Sequence, residues 1–240
     1  MADPRLAQID VCLRDVRRVV AVTGGKGGIG KTLVASILAL ALARAGRRVG
    51  LLDLDLTGPC DHLVLGVEGL FPREEAGIVP PVAHGIHFMS ITHFSGAESL
   101  PLRGVDVSNA LIELLAITRW GTLDVLVIDM PPGLGDAALD AVRLLGRAEF
   151  LVVATAARVV RETVKRTLLL LDQVGAGVLG VVENMAHDGG DGVEELAAEF
   201  GVPLLGVLPF DGEVEEAIGD VERLASTSFA RALARVAAPL

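Results

Sequence analysis

The stretch TGGKGGIGKT, beginning at Thr23, constrains this chain more than any other segment. Residues Gly25 to Thr32 match the pattern GxxxxGK[ST], with the β-branched run RVVAV before it and an apolar helical segment opening near Lys31 after it. Strand, glycine loop and helix in that order make a phosphate cradle. The glycines let successive N–H groups turn inward, and the helix N-terminus adds the positive end of its dipole. The spacing therefore predicts that Gly25, Lys26, Gly27, Gly28, Ile29, Gly30, Lys31 and Thr32 enclose the phosphates of a nucleotide. Lys31 is expected to reach the β- and γ-phosphates and the Thr32 hydroxyl to ligate Mg²⁺. The chain has 21 basic residues, yet only Lys26, Lys31 and Lys165 are lysines, and two of these fall in the loop. A compact ammonium on a flexible stem suits a tight phosphate site in a way that a planar guanidinium does not, so Lys26 is also read as phosphate-directed.

The rest of the chain alternates short apolar runs with helix-period segments. Candidate strands are RVVAVT at Arg18, RVGLLD at Arg48, GIHFMSI at Gly85, DVLVID at Asp124, FLVVAT at Phe150, VLGVVE at Val178 and PLLGVL at Pro203. Nearly continuous hydrophobicity bounded by Gly, Asp or Pro is how strands buried on both faces read. Helices are expected from Lys31 to about Ala45, after Ser108 as an N-cap, from near Asp136, Arg158 and Asp191, and at the end of the chain. Leu6, Ile9, Leu13 and Val16 have helical spacing ahead of the first strand. The expected fold is α/β: a doubly wound, mostly parallel sheet of about seven strands with helices on both faces. At 240 residues the chain reads as a single domain covering 1–240, with Gly66 to Ala83 as its longest surface loop.

In such sheets ligands bind beyond the carboxyl ends of strands, and two more apolar runs end there in acids. RVGLLDLDLTGP ends a strand with Asp53 and Asp55, and residues two apart on a strand point to the same side, so both carboxylates are expected to face the phosphates. LDVLVIDMPPG ends in Asp129, which has the sequence setting of an acid that holds the metal's shell. Metal-facing candidates are therefore Thr32, Asp53 and Asp129. Candidates for chemistry on the phosphates are Lys26, Lys31, Asp55 and Asp129. Asp136, after GLG, reads either as a helix N-cap or as part of a moving loop.

Composition enters as a set of exclusions. A net charge of -10 argues against a nucleic-acid partner held by phosphate neutralisation. Cys12 and Cys60 form no disulfide framework and suit a reducing compartment. The acidic N-terminus is no signal peptide, and Leu33 to Ala45 is too short to span a bilayer, so a cytoplasmic protein with no membrane partner is expected.

Taken together, GKGGIGKT, LLDLDLTGP, HGIHFMSI, the RG at Arg103 with VSNALIELL, LDVLVIDMPPGLGD, LGVVENM and VPLLGVLPFD resemble the Mrp (ApbC) group of deviant-Walker ATPases, relatives of MinD, ParA and the arsenite ATPase. The resemblance implies slow, Mg²⁺-dependent ATP hydrolysis in an ATP-linked homodimer, with the signature lysine, here Lys26, contacting nucleotide across the interface. It implies that Asp55 positions the attacking water and that Asn184 pairs with the adenine edge, a role its paired donor and acceptor suit. It also implies work in iron–sulfur cluster assembly or transfer, with iron–sulfur or other metalloenzymes as client proteins.

One departure bears on that last point. Mrp-type carriers typically place a CxxC shortly after the VENM segment, where this chain reads ENMAHDGGDGVEEL. An iron–sulfur cluster is thus an implied cofactor whose ligands are not identified. Cys60, and His187 with Asp188 and Asp191, are the replacements weighed, against a small buried thiol and a polar turn. The alternative reading is a MinD- or ParA-like positioning or partition ATPase without cluster binding. It would need a membrane-targeting tail or a DNA-facing patch. The end STSFARALARVAAPL looks like a docking helix, and Glu162 interrupts the basic group Arg158, Arg161, Lys165 and Arg166.

Overall fold

A computed structural model describes residues 3–95, 104–187 and 192–240. Arg103, Asp188 and Asp191 lie outside the described residues. Ten strands occur among those described: β1 (Val16–Gly24), β2 (Val49–Asp53), β3 (Arg73–Glu74), β4 (Ile78–Val79), β5 (Val82–Ala83), β6 (Ile86–Ser90), β7 (Leu123–Asp129), β8 (Glu149–Ala154), β9 (Gly177–Ala186) and β10 (Leu204–Pro209). Eight form one sheet in the order β10-β9-β8-β1-β7-β2-β6-β5. Seven of these, the runs read from the sequence, pair in parallel; the two-residue edge strand β5 runs antiparallel to β6. β3 and β4 make a separate antiparallel hairpin inside the segment expected to be a plain loop.

β1 lies between β7 and β8, at the centre of the sheet. The chain leaves it through the glycine loop, returns along helix Lys31–Arg44, and enters β2 on the far side of β7. Central strands become this apolar because helices cover both sheet faces. β2 is buried throughout, and β7 is buried at every position but Asp124. Helix Lys31–Arg44 packs on β1, β2 and β7 and on helix Ser228–Ala237. Contact on opposite sides explains why Val34, Ile37, Leu38, Leu40 and Leu42 are all buried.

The last helix is strongly one-sided. Phe229, Leu233 and Val236 face inward, and the Thr227 side chain caps its N-terminus. This agrees with a docking helix, since its apolar face is already spent on the core. Among the described residues no helix is long and apolar enough to cross a membrane.

Three sequence expectations need correction. Helix Val105–Ile117 starts before Ser108, with Gly104 at its N-cap; Ser108 sits inside it and donates to Asp140. The first helix is Pro4–Leu13, capped by Asp3, so Val16 begins β1 instead of extending the helix. Asp136 opens helix Asp136–Leu144 with Gly135 as the N-cap residue, so the acid sits in the first turn and caps nothing.

Candidate functional site

The glycine loop leaves β1 with backbone that an L side chain would resist. Gly28 and Gly30 have φ of 79° and 85°. Gly30 is the N-cap of helix Lys31–Arg44, and no side chain takes up that helix's first N–H groups. A helix start left uncapped by side chains beside curled glycine backbone is an anion cradle. The loop is also wedged from outside. A Cβ on Gly25 would come within 2.4 Å of the Thr163 backbone, and one on Gly30 within 2.3 Å of Asn184 Nδ2. Cβ atoms on Gly27 and Gly28 would meet nothing within 4 Å, so the loop's tip is open. Lys26 is exposed at this tip, whereas Lys31 is 6% exposed.

Acids gather below the cradle because parallel strand ends meet in register. Asp129 of β7 is the Cα partner of Asp53 in β2 and of Val22 in β1. Thr32 Oγ1 donates to Asp129 Oδ2 at 2.6 Å, tying the first turn of the loop helix to the end of β7. Asp53 Oδ1 accepts from the Asp55 N–H at 3.0 Å. Asp53 and Asp129 are 0% and 1% exposed.

Asp55 is placed differently from the expectation. β2 ends at Asp53, so strand alternation does not reach it. Asp55 is half-buried in the following turn, where its Oδ1 accepts from the Thr57 hydroxyl at 2.8 Å and the Gly58 N–H at 3.1 Å.

A further acid joins this group that sequence reading missed. Asp61, fully buried at the start of the four-residue helix Asp61–Val64, accepts at Oδ1 from Ser36 Oγ. One ligand oxygen from each of Asp53, Asp61 and Asp129 lies within 4.8 Å of those of the other two. The signal was present as the acid of GPCD, but nothing in the spacing said that this loop folds back over the strand ends. Burial, then mutual repulsion, pushes Asp53 and Asp61 well above the usual carboxylate range. Burial likewise raises Asp129 to about 6, against the pull of Thr32 and Lys31. Such a set fits a hard divalent cation: all-oxygen donors, concentrated negative charge, and a buried Asp129 Oδ1 with no hydrogen-bond partner among the described residues.

On the other side of the loop, Asn184 is 2% exposed, and its Nδ2 donates to the Ile29 carbonyl at 2.8 Å. It also lines a cavity of about 300 Å³ with Leu33, Met185, Phe210, Asp211 and Phe229. Asp211 holds that wall together: its Oδ2 accepts from Ser228 N at 2.8 Å and Ser228 Oγ at 2.6 Å, and its Oδ1 from Glu213 N at 3.0 Å.

The cysteines stand apart. Cys12 is buried and donates to the Ala116 carbonyl; Cys60 is exposed beside the acids. Burial, and then Asp53, Asp55, Asp61 and Asp129, raise the Cys60 thiol and disfavour its thiolate. His187 stacks on Phe210 at 5.2 Å, and the two acids weighed with it lie outside the described residues. His84 falls in the turn between β5 and β6, and its Nε2 lies 2.9 Å from the Leu65 carbonyl.

Comparison with known proteins points the same way as the geometry. A protein-family model described as NUBPL iron-transfer P-loop NTPase, of the ParA group, matches residues 15–238. An iron–sulfur cluster carrier protein from Pseudomonas fragi is 40% identical over 231 residues, covering 89% of this chain and 80% of that protein. The solved structure of a nucleotide-binding protein from Archaeoglobus fulgidus, in complex with ADP, superposes with a TM-score of 0.77 at 28% identity, over 92% of this chain and 93% of the other. The septum site-determining protein MinD from Pyrococcus horikoshii, complexed with Mg-ADP, shares the fold at a TM-score of 0.69 and 24% identity, over 92% and 94% of the two chains.

Proposed function

The chain belongs to the Mrp/NUBPL-type iron–sulfur cluster carrier family of P-loop NTPases, and from that premise we propose that it binds and hydrolyses Mg-ATP as a homodimeric switch in iron–sulfur cluster assembly or transfer. The observation that carries the ATPase reading is the junction of Thr32 and Asp129 at 2.6 Å beneath an open glycine loop, with Lys31 buried beside it. We take residues 1–240 as one ATPase domain, because one hydrophobic cluster runs from Ile9 to Ala237.

Each residue then has a role in this reading. Loop N–H groups from Gly25 to Thr32 bind phosphate oxygens, and Lys31 supplies the cation that a water-excluded site makes effective. Thr32, Asp53 and Asp129 would hold Mg²⁺, which when bound neutralises charge on the β- and γ-phosphates. Asn184 braces the loop through Ile29 and borders the cavity offered to adenine. Asp55 orients the attacking water; Thr57 and Gly58 fix its carboxylate by one oxygen. Water attacks the γ-phosphorus, the bond to the bridging oxygen breaks, and ADP and phosphate leave. Lys26, exposed at the loop tip, is assigned to the partner subunit's nucleotide.

The cargo half rests on family membership. With Cys12 committed to the core and Cys60 as the exposed thiol, one chain supplies too few thiolates for a cluster. Ligands therefore come from paired subunits or from the client. The MinD- or ParA-like alternative finds little support: the last helix buries its apolar face, and Lys165 pairs with Glu199.

Iron and sulfide content after anaerobic reconstitution, with and without Mg-ATP, tests the carrier reading. Retention of both through gel filtration is expected, and loss in Cys60→Ser would assign the thiol. Protein free of iron in both states would overturn carriage by this chain and leave only the nucleotide switch.

A further inference from the structure

The loop helix presents two hydroxyls one turn apart, Thr32 and Ser36, and each holds a different acid. Thr32 binds Asp129 through Oδ2, and Ser36 binds Asp61 through Oδ1. Asp53 is held at Oδ1 by the Asp55 N–H. Asp53 is held at its second oxygen too, by Ser90 Oγ at 3.5 Å, whereas Asp61 and Asp129 are each oriented through one oxygen. The other oxygens of Asp61 and Asp129 are buried and have no hydrogen-bond partner among the described residues. Leaving such an atom unpaired is costly, and native proteins rarely do so without an ion, a proton or a catalytic use for it.

Charge makes the same point. Asp53, Asp61 and Asp129 are all buried, with ligand oxygens within 4.8 Å of one another. Lys31 is the cation that acts on Asp129. Beside that one ammonium three acids converge, an all-oxygen donor set that a divalent cation would fit. A hydroxyl and two acids hold a cation less firmly than three acids do, and depend more on a nucleotide's phosphates to complete its shell. Three converging carboxylates need no such help, because affinity for a hard cation rises with the number of charged oxygen ligands.

We propose that Asp61 completes, with Asp53 and Asp129, a divalent-cation site that fills before nucleotide arrives. The site is charged with metal in the empty enzyme, so ATP binds to a metal already in place. This rests on the assignment of Thr32, Asp53 and Asp129 to the ATP-linked cation. Asp61 is the added element that frees binding from nucleotide.

The test is Mn²⁺ binding followed by electron paramagnetic resonance on nucleotide-free protein, in wild type and Asp61→Asn, repeated with ADP. Asparagine keeps an oxygen for Ser36, and circular dichroism checks that the variant folds. Wild type should bind about one Mn²⁺ per chain without nucleotide, and Asp61→Asn should bind roughly tenfold or more weakly. Mn²⁺ should also raise the melting temperature of wild type, and that of the variant by less at the same concentration. Binding that appears only with ADP overturns the proposal and leaves the nucleotide-linked site intact. Equal nucleotide-free binding in both proteins removes Asp61 from the site. No binding even with ADP overturns the underlying cation assignment, and this proposal with it.

Discussion

Lys31 and Asn184 hold the same loop for different ends. Lys31 is buried near Asp129, and burying a charge is costly unless it is matched, a match that phosphate oxygens in the loop would extend. Lys31→Ala should therefore keep the fold and lose at least about a hundredfold in ATP hydrolysis, read as phosphate release beside an unchanged circular dichroism spectrum. Asn184→Ala leaves the Ile29 carbonyl without its donor, which should cost about 1–3 kcal/mol in denaturant unfolding and weaken ADP binding. The acids make stability depend on pH. Asp129 stands at about 6 in the fold against an ordinary 3.8, so the folded state holds its proton more tightly than the unfolded chain. That contribution is complete below about pH 4 and is lost as pH rises through about 6. Without divalent cations, the melting temperature should thus be lower at pH 7.5 than at pH 5, and Asp61→Asn should narrow the gap. An equal gap in both proteins would contradict the account.

At the scale of elements, β9 and helix Arg158–Gln173 wedge the two ends of the loop, at Gly30 and Gly25, and leave its tip at Gly27 and Gly28 open. Gly30→Ala forces a side chain onto a φ of 85° and into Asn184, 2.3 Å away, whereas Gly27→Ala meets nothing within 4 Å. The first should destabilise by several kcal/mol, the second by less than about 1 kcal/mol, although both belong to the proposed phosphate loop; chemical denaturation of the two variants decides. The same elements explain what could be read from sequence. Strands buried on both faces write themselves as continuous apolar runs, so all seven parallel strands were legible. β5, β3 and β4 are two residues each, too short to show a period, and so passed for loop. Helices Glu213–Ala217 and Val221–Ser226 were missed for the same reason. Within the site, Gly25 to Thr32, Asp53 and Asp129 follow from motif and strand end. Asp61 is near them only because the segment after Asp55 folds back, and no local pattern records that.

The whole molecule couples a centrally placed nucleotide site to surfaces that a partner can read. Lys26 is exposed at the loop tip while Lys31 is buried, and the proposed homodimer uses that difference by assigning Lys26 to the partner's nucleotide. Sedimentation with a non-hydrolysable ATP analogue should show a dimer that ADP does not support, and Lys26→Ala should remain monomeric while still binding nucleotide. A net charge of -10 opposes stable complexes with nucleic acid. All of this depends on one reaction at one place. The direct measurement is phosphate release from Mg-ATP by wild type, Lys31→Ala and Asp129→Asn. Slow turnover in wild type, absent from both variants, is predicted. Turnover that survives in Lys31→Ala, or a wild type that neither binds nor cleaves ATP, would contradict it.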